Sequence, residues 1–189
     1  MEQDERISEP IHIVPVSESE APTICTPSVT SDNTTKDIHR CEASQSSAPW
    51  PGRTYIIRSH ENGQVITFLD GKIVLDKPGG LGTFRWRCVE KKGWLGFRDP
   101  ASARFLGYDE HGYLRCLMDH HQDYEYMCPR KRPEGGYVLL MLLKKKEELV
   151  PLGVQTQETE NGVQQKVKTV KWDSGGIVWD FIEVSCPST

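Results

Sequence analysis

The sequence lacks any long hydrophobic stretch. Its longest apolar run, Tyr137–Leu143, is far shorter than the roughly 20 residues that a membrane-spanning helix needs. This excludes a helical membrane span. The N-terminus also lacks the basic start and the apolar stretch that together form a secretory signal. We therefore expect the protein in the cytoplasm or the nucleus.

The sequence also lacks the motifs of common nucleotide, metal and hydrolase sites. It contains no Walker phosphate loop, no strand-linked Gly-x-Gly-x-x-Gly, no Gly-x-Ser-x-Gly elbow and no His-Glu-x-x-His. The six cysteines, at positions 25, 41, 88, 116, 128 and 186, include no Cys-x-x-Cys pair of the kind that binds zinc or exchanges electrons. We therefore expect neither a metal site nor a cofactor.

Residues 1–49 have the composition of a disordered tail. They contain nine acidic and three basic residues, which gives a net charge near −6, together with five prolines and thirteen serines or threonines. Their few apolar residues follow no helical or strand period, so the segment cannot bury enough surface to offset its ordering entropy. The acidic serine cluster at Ser17–Glu20 fits an interaction or phosphorylation segment. The alternative is a solvating leader without a specific partner.

The rest of the chain repeats one short pattern three times. An aromatic residue, a charged residue and a second aromatic residue occur at Phe84–Trp86, Tyr124–Tyr126 and Trp179–Phe181, with steps of 40 and 55 residues. A fixed internal period indicates repeated structural units. We therefore divide a single domain, residues 50–186, into repeats at about 53–93, 94–136 and 137–184.

Each repeat has the pattern of four short strands. In the first, Trp86 and Cys88 have one parity while Arg85 and Arg87 have the other, which predicts a strand with one buried and one charged face. Turns with glycine, such as Asp70–Gly71, separate the apolar runs as they do in hairpins. The third repeat contains a polar insertion, residues 155–176, that accounts for the longer second step.

Twelve short strands in three groups look like a β-trefoil, a six-stranded barrel capped by three hairpins around a pseudo-threefold axis. Within that fold, residues 104–116 resemble the fascin-type repeat, in which an aromatic–leucine pair, here Phe105 and Leu106, leads to an acidic turn with glycine and then to a short strand ending in cysteine, here Cys116. The resemblance implies actin as a partner. Fascins cross-link actin with four trefoils in one chain, so a single trefoil does not imply bundling.

The sugar-binding signature of another trefoil family is missing. Trefoils of the ricin B type carry Gln-x-Trp near the end of each repeat. The corresponding pairs in this chain are Arg85–Trp86, Glu125–Tyr126 and Asp180–Phe181. The sequence therefore does not predict a lectin of that type.

The most reactive group of side chains lies before the closing strand of the second repeat and comprises Asp119, His120, His121 and Asp123. A histidine beside a carboxylate suits proton transfer, because histidine titrates near neutral pH. Adjacent histidines of an extended chain point to opposite sides, which disfavours a shared metal ion. The group is either the acid–base pair of an enzyme or a solvated polar loop.

Two further groups are candidates for ligand or partner binding. One is the basic turn of Arg130, Lys131 and Arg132, which suits a phosphate, an acidic protein surface or the chain's own tail, or else only aids solubility. The other is Trp172 between Lys171 and Asp173, inside the polar insertion. Nucleic acid is a disfavoured partner because residues 50–189 carry a net charge of only about +2.

Three functions follow from these residues. The first is a non-catalytic binding module that recognises a protein or a small ligand through loops on a rigid trefoil. The second is a small enzyme of specialised metabolism that uses the histidine group and requires a pocket beside it. The third is a protease inhibitor of the trefoil type, for which the glycine-rich loop Gly79–Gly82 is the candidate contact.

Overall fold

The computed structural model describes residues 46–159, 162–174 and 176–184. The predicted tail lies outside these residues except for its last four. The described residues form twelve strands: β1 (Thr54–Ser59), β2 (Val65–Leu69), β3 (Lys72–Asp76), β4 (Arg85–Lys91), β5 (Trp94–Arg98), β6 (Phe105–Tyr108), β7 (Leu114–Met118), β8 (Met127–Lys131), β9 (Tyr137–Leu143), β10 (Glu148–Thr159), β11 (Gly162–Thr169) and β12 (Val178–Glu183).

Six of these strands close into a barrel. β1 pairs with β4, β4 with β5, β5 with β8, β8 with β9, β9 with β12, and β12 returns to β1, all antiparallel. The other six form three hairpins, β2–β3, β6–β7 and β10–β11. A closed six-stranded barrel with one hairpin per repeat is a β-trefoil, which confirms the predicted fold.

The barrel core repeats an aromatic position from one repeat to the next. Tyr55 of β1, Phe97 of β5 and Tyr137 of β9 are buried around the ring of Phe181. Their ring centroids lie 6.2, 5.4 and 5.4 Å from that of Phe181. The first strand of each repeat thus contributes one aromatic ring to the same cluster, and aromatic contacts of this kind stabilise a core beyond simple area burial.

The alternation predicted for the first closing strand is confirmed. In β4, Trp86 and Cys88 have no exposed surface, while Arg85 and Arg87 face solvent. Trp86 is also fixed by a hydrogen bond of 2.9 Å from its indole nitrogen to the carbonyl oxygen of Ile66. The buried indole therefore has its one donor satisfied.

The closing strand of the third repeat departs from this alternation. Trp179 and Phe181 of β12 are fully buried, but Asp180 between them is only 5% exposed. Its carboxylate accepts a hydrogen bond from the guanidinium of Arg58 at 3.2 Å and lies 3.1 Å from Nδ1 of His60. These two partners compensate for the burial of the charge, as buried carboxylates require.

The pattern at Tyr124–Tyr126 resembles that of the first closing strand, which predicts a strand with both tyrosines on the buried face and Glu125 on the charged face, but this prediction was wrong. Asp123–Glu125 is a single 3₁₀ turn, and the strand β8 begins only at Met127. Glu125 is 2% exposed and Tyr124 is 37% exposed, the opposite of what alternation predicts for these two, whereas Tyr126 is buried at 7%. The turn rotates the glutamate inward, where its carboxylate accepts a hydrogen bond from the backbone nitrogen of Gln122 at 3.2 Å.

The polar insertion of the third repeat is a hairpin and not an irregular loop. β10 and β11 pair from Leu152 opposite Thr169 to Thr159 opposite Gly162. Val167, nearer the barrel, is 2% exposed and belongs to the core. The insertion thus lengthens a regular element of the trefoil.

The last residues of the predicted tail contact the barrel. The backbone nitrogen of Ser47 donates a hydrogen bond to the carbonyl oxygen of Phe181 at 2.8 Å, and the hydroxyl of Ser46 accepts one from the backbone nitrogen of Phe181 at 3.1 Å. The domain limits themselves stay a prediction.

Within the described residues, no helix has the length and hydrophobicity that crossing a membrane requires.

Candidate ligand-binding site

Trp172 is a surface tryptophan with a fixed orientation. It begins a 3₁₀ turn, Trp172–Ser174, that follows β11, and 47% of its surface is exposed. Its indole nitrogen donates a hydrogen bond of 2.9 Å to the carbonyl oxygen of Leu149 in β10. Because the only donor of the ring is bound internally, the ring presents mainly apolar surface to solvent.

Trp172 lines a cleft of about 410 Å³ between β10 and the segment that follows β11. Leu143 and Val150 give the cleft apolar walls, whereas Glu148 and Asp173 add carboxylates. No ion pair joins either carboxylate to another residue of the described ranges. A concave surface with apolar walls and a few polar groups is typical of small-ligand sites.

The structure brings part of the predicted basic turn to this tryptophan. Arg130, near the end of β8, places its guanidinium over the ring of Trp172, 5.6 Å from the centroid. A cation at this distance is attracted by the negative face of the ring and helps to hold it. Lys131 pairs through its backbone with Tyr137, and Arg132 forms an ion pair with Glu134 at 3.4 Å. Among the three basic residues, Arg130 is thus the one placed beside Trp172.

The adjacent histidines His120 and His121 lie in different surroundings, the first exposed and the second buried. His121 is 6% exposed and lies between the rings of Phe105 and Tyr126, with centroid distances of 5.4 and 5.1 Å. Its Nε2 lies 3.3 Å from the carbonyl oxygen of Leu95, which assigns the proton to that nitrogen. Burial lowers the pKa of His121 and favours the neutral ring.

His120 faces solvent and lies beside an acidic partner. Its Nδ1 is 3.2 Å from a carboxylate oxygen of Asp119, whose side chain is 89% exposed. Asp123 instead forms an ion pair with Lys144, which raises the pKa of Lys144. The structure thus pairs His120 with Asp119 and separates both from His121.

His120 and Asp119 are exposed, unlike the buried acid–base pair that catalysis in a pocket would use. Neither His120 nor His121 lines the cleft at Trp172. An exposed pair such as His120 and Asp119 is screened by water and gains little from proximity. The described residues also contain no group of three side chains suited to hold a metal ion.

The glycine-rich loop suggested for an inhibitor is anchored at one end. The backbone of Thr83 exchanges two hydrogen bonds with that of Phe68, at 2.7 and 2.9 Å. Leu81 projects from the loop with 80% of its surface exposed. A Cβ at Gly82 would lie 2.6 Å from the carbonyl oxygen of Phe68, so the close approach of these strands requires glycine there. The inhibitor function stays a prediction.

Trp172, Lys171 and Asp173, which the sequence suggested as contacts, line this cleft, but the sequence did not predict its other wall. Glu148 and Val150 belong to β10, more than 20 positions earlier in the sequence. Adjacent antiparallel strands bring residues together that are distant in the sequence, and the sequence alone did not show this pairing. No feature of the sequence indicated that the guanidinium of Arg130 lies over the ring of Trp172.

Comparisons with known proteins support the fold. No protein-family model and no curated protein matches the chain. A solved structure of the Macrolepiota procera ricin B-like lectin in complex with lactose is similar, with 14% identity, a TM-score of 0.56, and coverage of 73% of this chain and 100% of the lectin.

Two larger enzymes contain a similar region. A GlcNAcα1-4Gal-releasing endo-β-galactosidase from Clostridium perfringens matches with 14% identity and a TM-score of 0.52 over 70% of this chain and 33% of the enzyme. A GH43 β-1,3-galactosidase matches with 12% identity and a TM-score of 0.52 over 74% of this chain and 28% of the enzyme. The chain therefore spans about a third or less of either enzyme. At these identities the likeness shows the β-trefoil fold alone, and the fascin-type assignment stays a prediction.

Proposed function

We propose that the domain is a non-catalytic binding module that recognises a galactose-containing saccharide at the Trp172 cleft. The observation that carries the proposal is the half-exposed indole of Trp172, fixed by its hydrogen bond to Leu149 and placed at the edge of a polar-lined cleft. A sugar ring has an apolar face of C–H groups and a rim of hydroxyls. An aromatic ring beside carboxylates matches both parts.

Two features of the cleft suit a neutral sugar. Asp173 and Glu148 offer carboxylate oxygens that accept hydrogen bonds from hydroxyls, and Lys171 and Lys146 offer donors. Leu143 and Val150 make the cleft walls apolar, which limits competition from water for these groups.

The choice of galactosides as the first ligands comes from the similar structures. Two of them are named as galactosidases, and the third, the lectin, is bound to lactose. The site proposed for this chain is built differently from a Gln-x-Trp site. The positions that correspond to that signature include Trp86, Tyr126 and Phe181, which are buried and face the core.

A cytoplasmic or nuclear site of action is part of the proposal, as the sequence predicted. It is tested separately by imaging a fluorescent fusion of the full chain. Actin stays a predicted partner by resemblance, and co-sedimentation of the full chain with filaments measures that interaction. The enzyme function stays an alternative prediction.

The saccharide proposal is tested by calorimetric titration of the full chain with lactose, followed by a glycan array. We expect saturable binding that Trp172→Ala weakens at least about tenfold, because aromatic anchors dominate small interfaces. Trp50→Ala is the matched control, since Trp50 is 69% exposed and lies outside the cleft.

Two outcomes would overturn the proposal. One is the absence of binding to every galactose-containing saccharide on the array. The other is an equal loss of affinity in the Trp172→Ala and Trp50→Ala variants, each shown by circular dichroism to retain the fold of the unsubstituted protein.

A further inference from the structure

The three hairpins of the trefoil meet at a second cleft, distinct from the one at Trp172. It has a volume of about 260 Å³ and is lined by residues of β3, β7 and β11, the second strands of the three hairpins. The backbone of β11 is joined to the β6–β7 turn, since the nitrogen of Thr169 donates to the carbonyl oxygen of Gly112 at 2.8 Å. The cleft therefore lies where all three repeats contribute.

Each hairpin contributes one cation and one adjacent apolar residue to this cleft. The pairs are Lys72 with Ile73, Arg115 with Leu114, and Lys166 with Val167. The three apolar residues are at most 9% exposed and belong to the hydrophobic core. An apolar base lowers the local dielectric response, which strengthens electrostatic attraction between the cations and an anion above it.

The three cations lack anionic partners in the part of the chain that the structure describes. No ion pair there involves Lys72, Arg115 or Lys166. Nε of Arg115 is buried and has no hydrogen-bond partner among the described residues. A buried donor without an acceptor costs free energy, so an oxygen atom of a ligand would remove that cost.

Two carboxylates lie in the neighbourhood of the cations. Asp109 lines the cleft, but one of its oxygens accepts hydrogen bonds of 2.9 Å from the backbone nitrogens of both His111 and Tyr113 and holds the β6–β7 turn. Glu125 interacts with Arg115 through its charge, without a described hydrogen bond between them. The lining therefore keeps an excess of positive charge.

Tyr113 helps to position the lysine of the third hairpin. The ammonium groups of Lys166 and Lys168 lie 5.6 and 4.6 Å from the centroid of its ring. Its hydroxyl donates a hydrogen bond of 3.0 Å to the side-chain oxygen of Gln155. A flexible lysine that is held near an aromatic face loses less freedom when an anion binds.

We propose that this cleft binds a tetrahedral oxyanion, the phosphate or sulfate group of a small monoester. Such a group carries three equivalent oxygens around the ester bond, and three hairpins related by a pseudo-threefold axis supply one cation each. Arg115 contributes the forked donors that suit phosphate and sulfate oxygens, while the lysines act as point charges. This site is independent of the proposed saccharide site.

The test is a calorimetric and NMR titration of the full chain, at low salt, with phenyl phosphate, phenyl sulfate, inorganic phosphate and inorganic sulfate. Comparison of the two esters separates phosphate from sulfate recognition. Comparison of each ester with its free ion shows whether the organic part contributes. We expect saturable binding of at least one ester.

The variants Arg115→Gln and Lys166→Gln should each weaken that binding about tenfold, since each removes a charge-assisted contact. Lys145→Gln is the matched control, because it removes the same charge from an exposed turn outside the cleft. Lys72→Gln serves as a third variant, since Lys72 is exposed and its substitution leaves the core intact if Arg115→Gln does not fold.

The proposal is wrong if no ester or free ion binds saturably, or if Lys145→Gln weakens binding as much as the cleft variants do. Trp172→Ala should leave the affinity for the ester unchanged. A loss of affinity for the ester in Trp172→Ala would contradict the independence of the two sites.

Discussion

The imidazole of His121 lies parallel to the ring of Phe105, with the two centroids 5.4 Å apart and an interplanar angle of 8°. Tyr126 meets the same imidazole edge-on, and Lys91 donates a hydrogen bond of 2.9 Å to the carbonyl oxygen of His121. The histidine is therefore a packed part of the second repeat. We therefore expect the titration of His121 to change the free energy of unfolding.

Protonation of His121 should destabilise the protein in mild acid. Burial lowers its pKa, so the unfolded chain takes up a proton near pH 6.5 while the native state still resists it. Above about pH 6.5, the protonation of His121 should not change the free energy of unfolding. Below that pH, the free energy of unfolding should decrease as the pH falls towards the lowered native pKa. Urea unfolding measured between about pH 7.5 and pH 5.5 tests this.

The control for that measurement is the neighbouring histidine. His121→Gln should show a shallower loss of stability in this range, whereas His120→Gln should retain the loss seen in the unsubstituted protein, because His120 is exposed. Burial raises the pKa of Glu125, which acts in the opposite direction, and the charge of His120 partly lowers that pKa, so His120→Gln also reports on Glu125. An unchanged slope in His121→Gln would contradict the prediction.

A methyl group at Gly96 should be poorly tolerated. A Cβ built there would lie 2.5 Å from Nε2 of His121, closer than real contacts allow. We expect Gly96→Ala to lower the free energy of unfolding by about 1–3 kcal/mol, the usual range for overpacking. Urea unfolding of Gly96→Ala, His121→Ala and the double variant measures the coupling of the two sites. Strict additivity would show that the imidazole is not the obstacle.

The two buried closing-strand tryptophans should differ in their tolerance of phenylalanine. The indole nitrogen of Trp86 donates to the carbonyl oxygen of Ile66 at 2.9 Å, whereas that of Trp179 has no partner among the described residues. Both substitutions remove a similar side-chain volume. Only Trp86→Phe leaves a buried acceptor, the carbonyl oxygen of Ile66, without its hydrogen-bond donor. We expect Trp86→Phe to cost about 1 kcal/mol more than Trp179→Phe in urea unfolding. An equal or reversed order would contradict the assigned hydrogen bond.

Cys88 and Cys116 should resist alkylation while the protein is folded. Burial raises the pKa of each thiol to about 12, so almost no thiolate is present near neutral pH. Peptide mapping after brief iodoacetamide treatment should find both unmodified in the native protein and both modified in urea. Rapid modification of either in the native protein would show that its strand opens locally.

The sequence predicted the barrel well where one face of a strand is buried and the other is solvated. The parity of Trp86 and Cys88 follows from that contrast, and the structure confirms it. The aromatic–charged–aromatic pattern at Tyr124–Tyr126 did not predict a turn. A single 3₁₀ turn places the side chain of Glu125 in the interior. The Cβ that Gly107 lacks would lie 2.9 Å from that carboxylate. The space beside Gly107, which the folded chain provides, thus determined the position of Glu125 more than the local sequence pattern did.

The candidate sites were less accessible from the sequence because their residues come from different strands. Lys171, Trp172 and Asp173 form one segment and were identified together, whereas Lys72, Arg115 and Lys166 stand one per repeat. The turn predicted at Asp70–Gly71 placed Lys72 near the start of a strand but did not show that three hairpins converge. That convergence is a property of the closed barrel.

The pairing of β1 with β12 sets the order in which this domain can be completed during synthesis. Tyr55 lies opposite Glu183 and Ser59 opposite Trp179, so one edge of β1 stays unpaired on the ribosome until the last strand has emerged. An open strand edge can recruit a neighbouring nascent chain, and contacts of such long sequence separation form slowly. Translation of the final strand is therefore the step that removes this exposed edge.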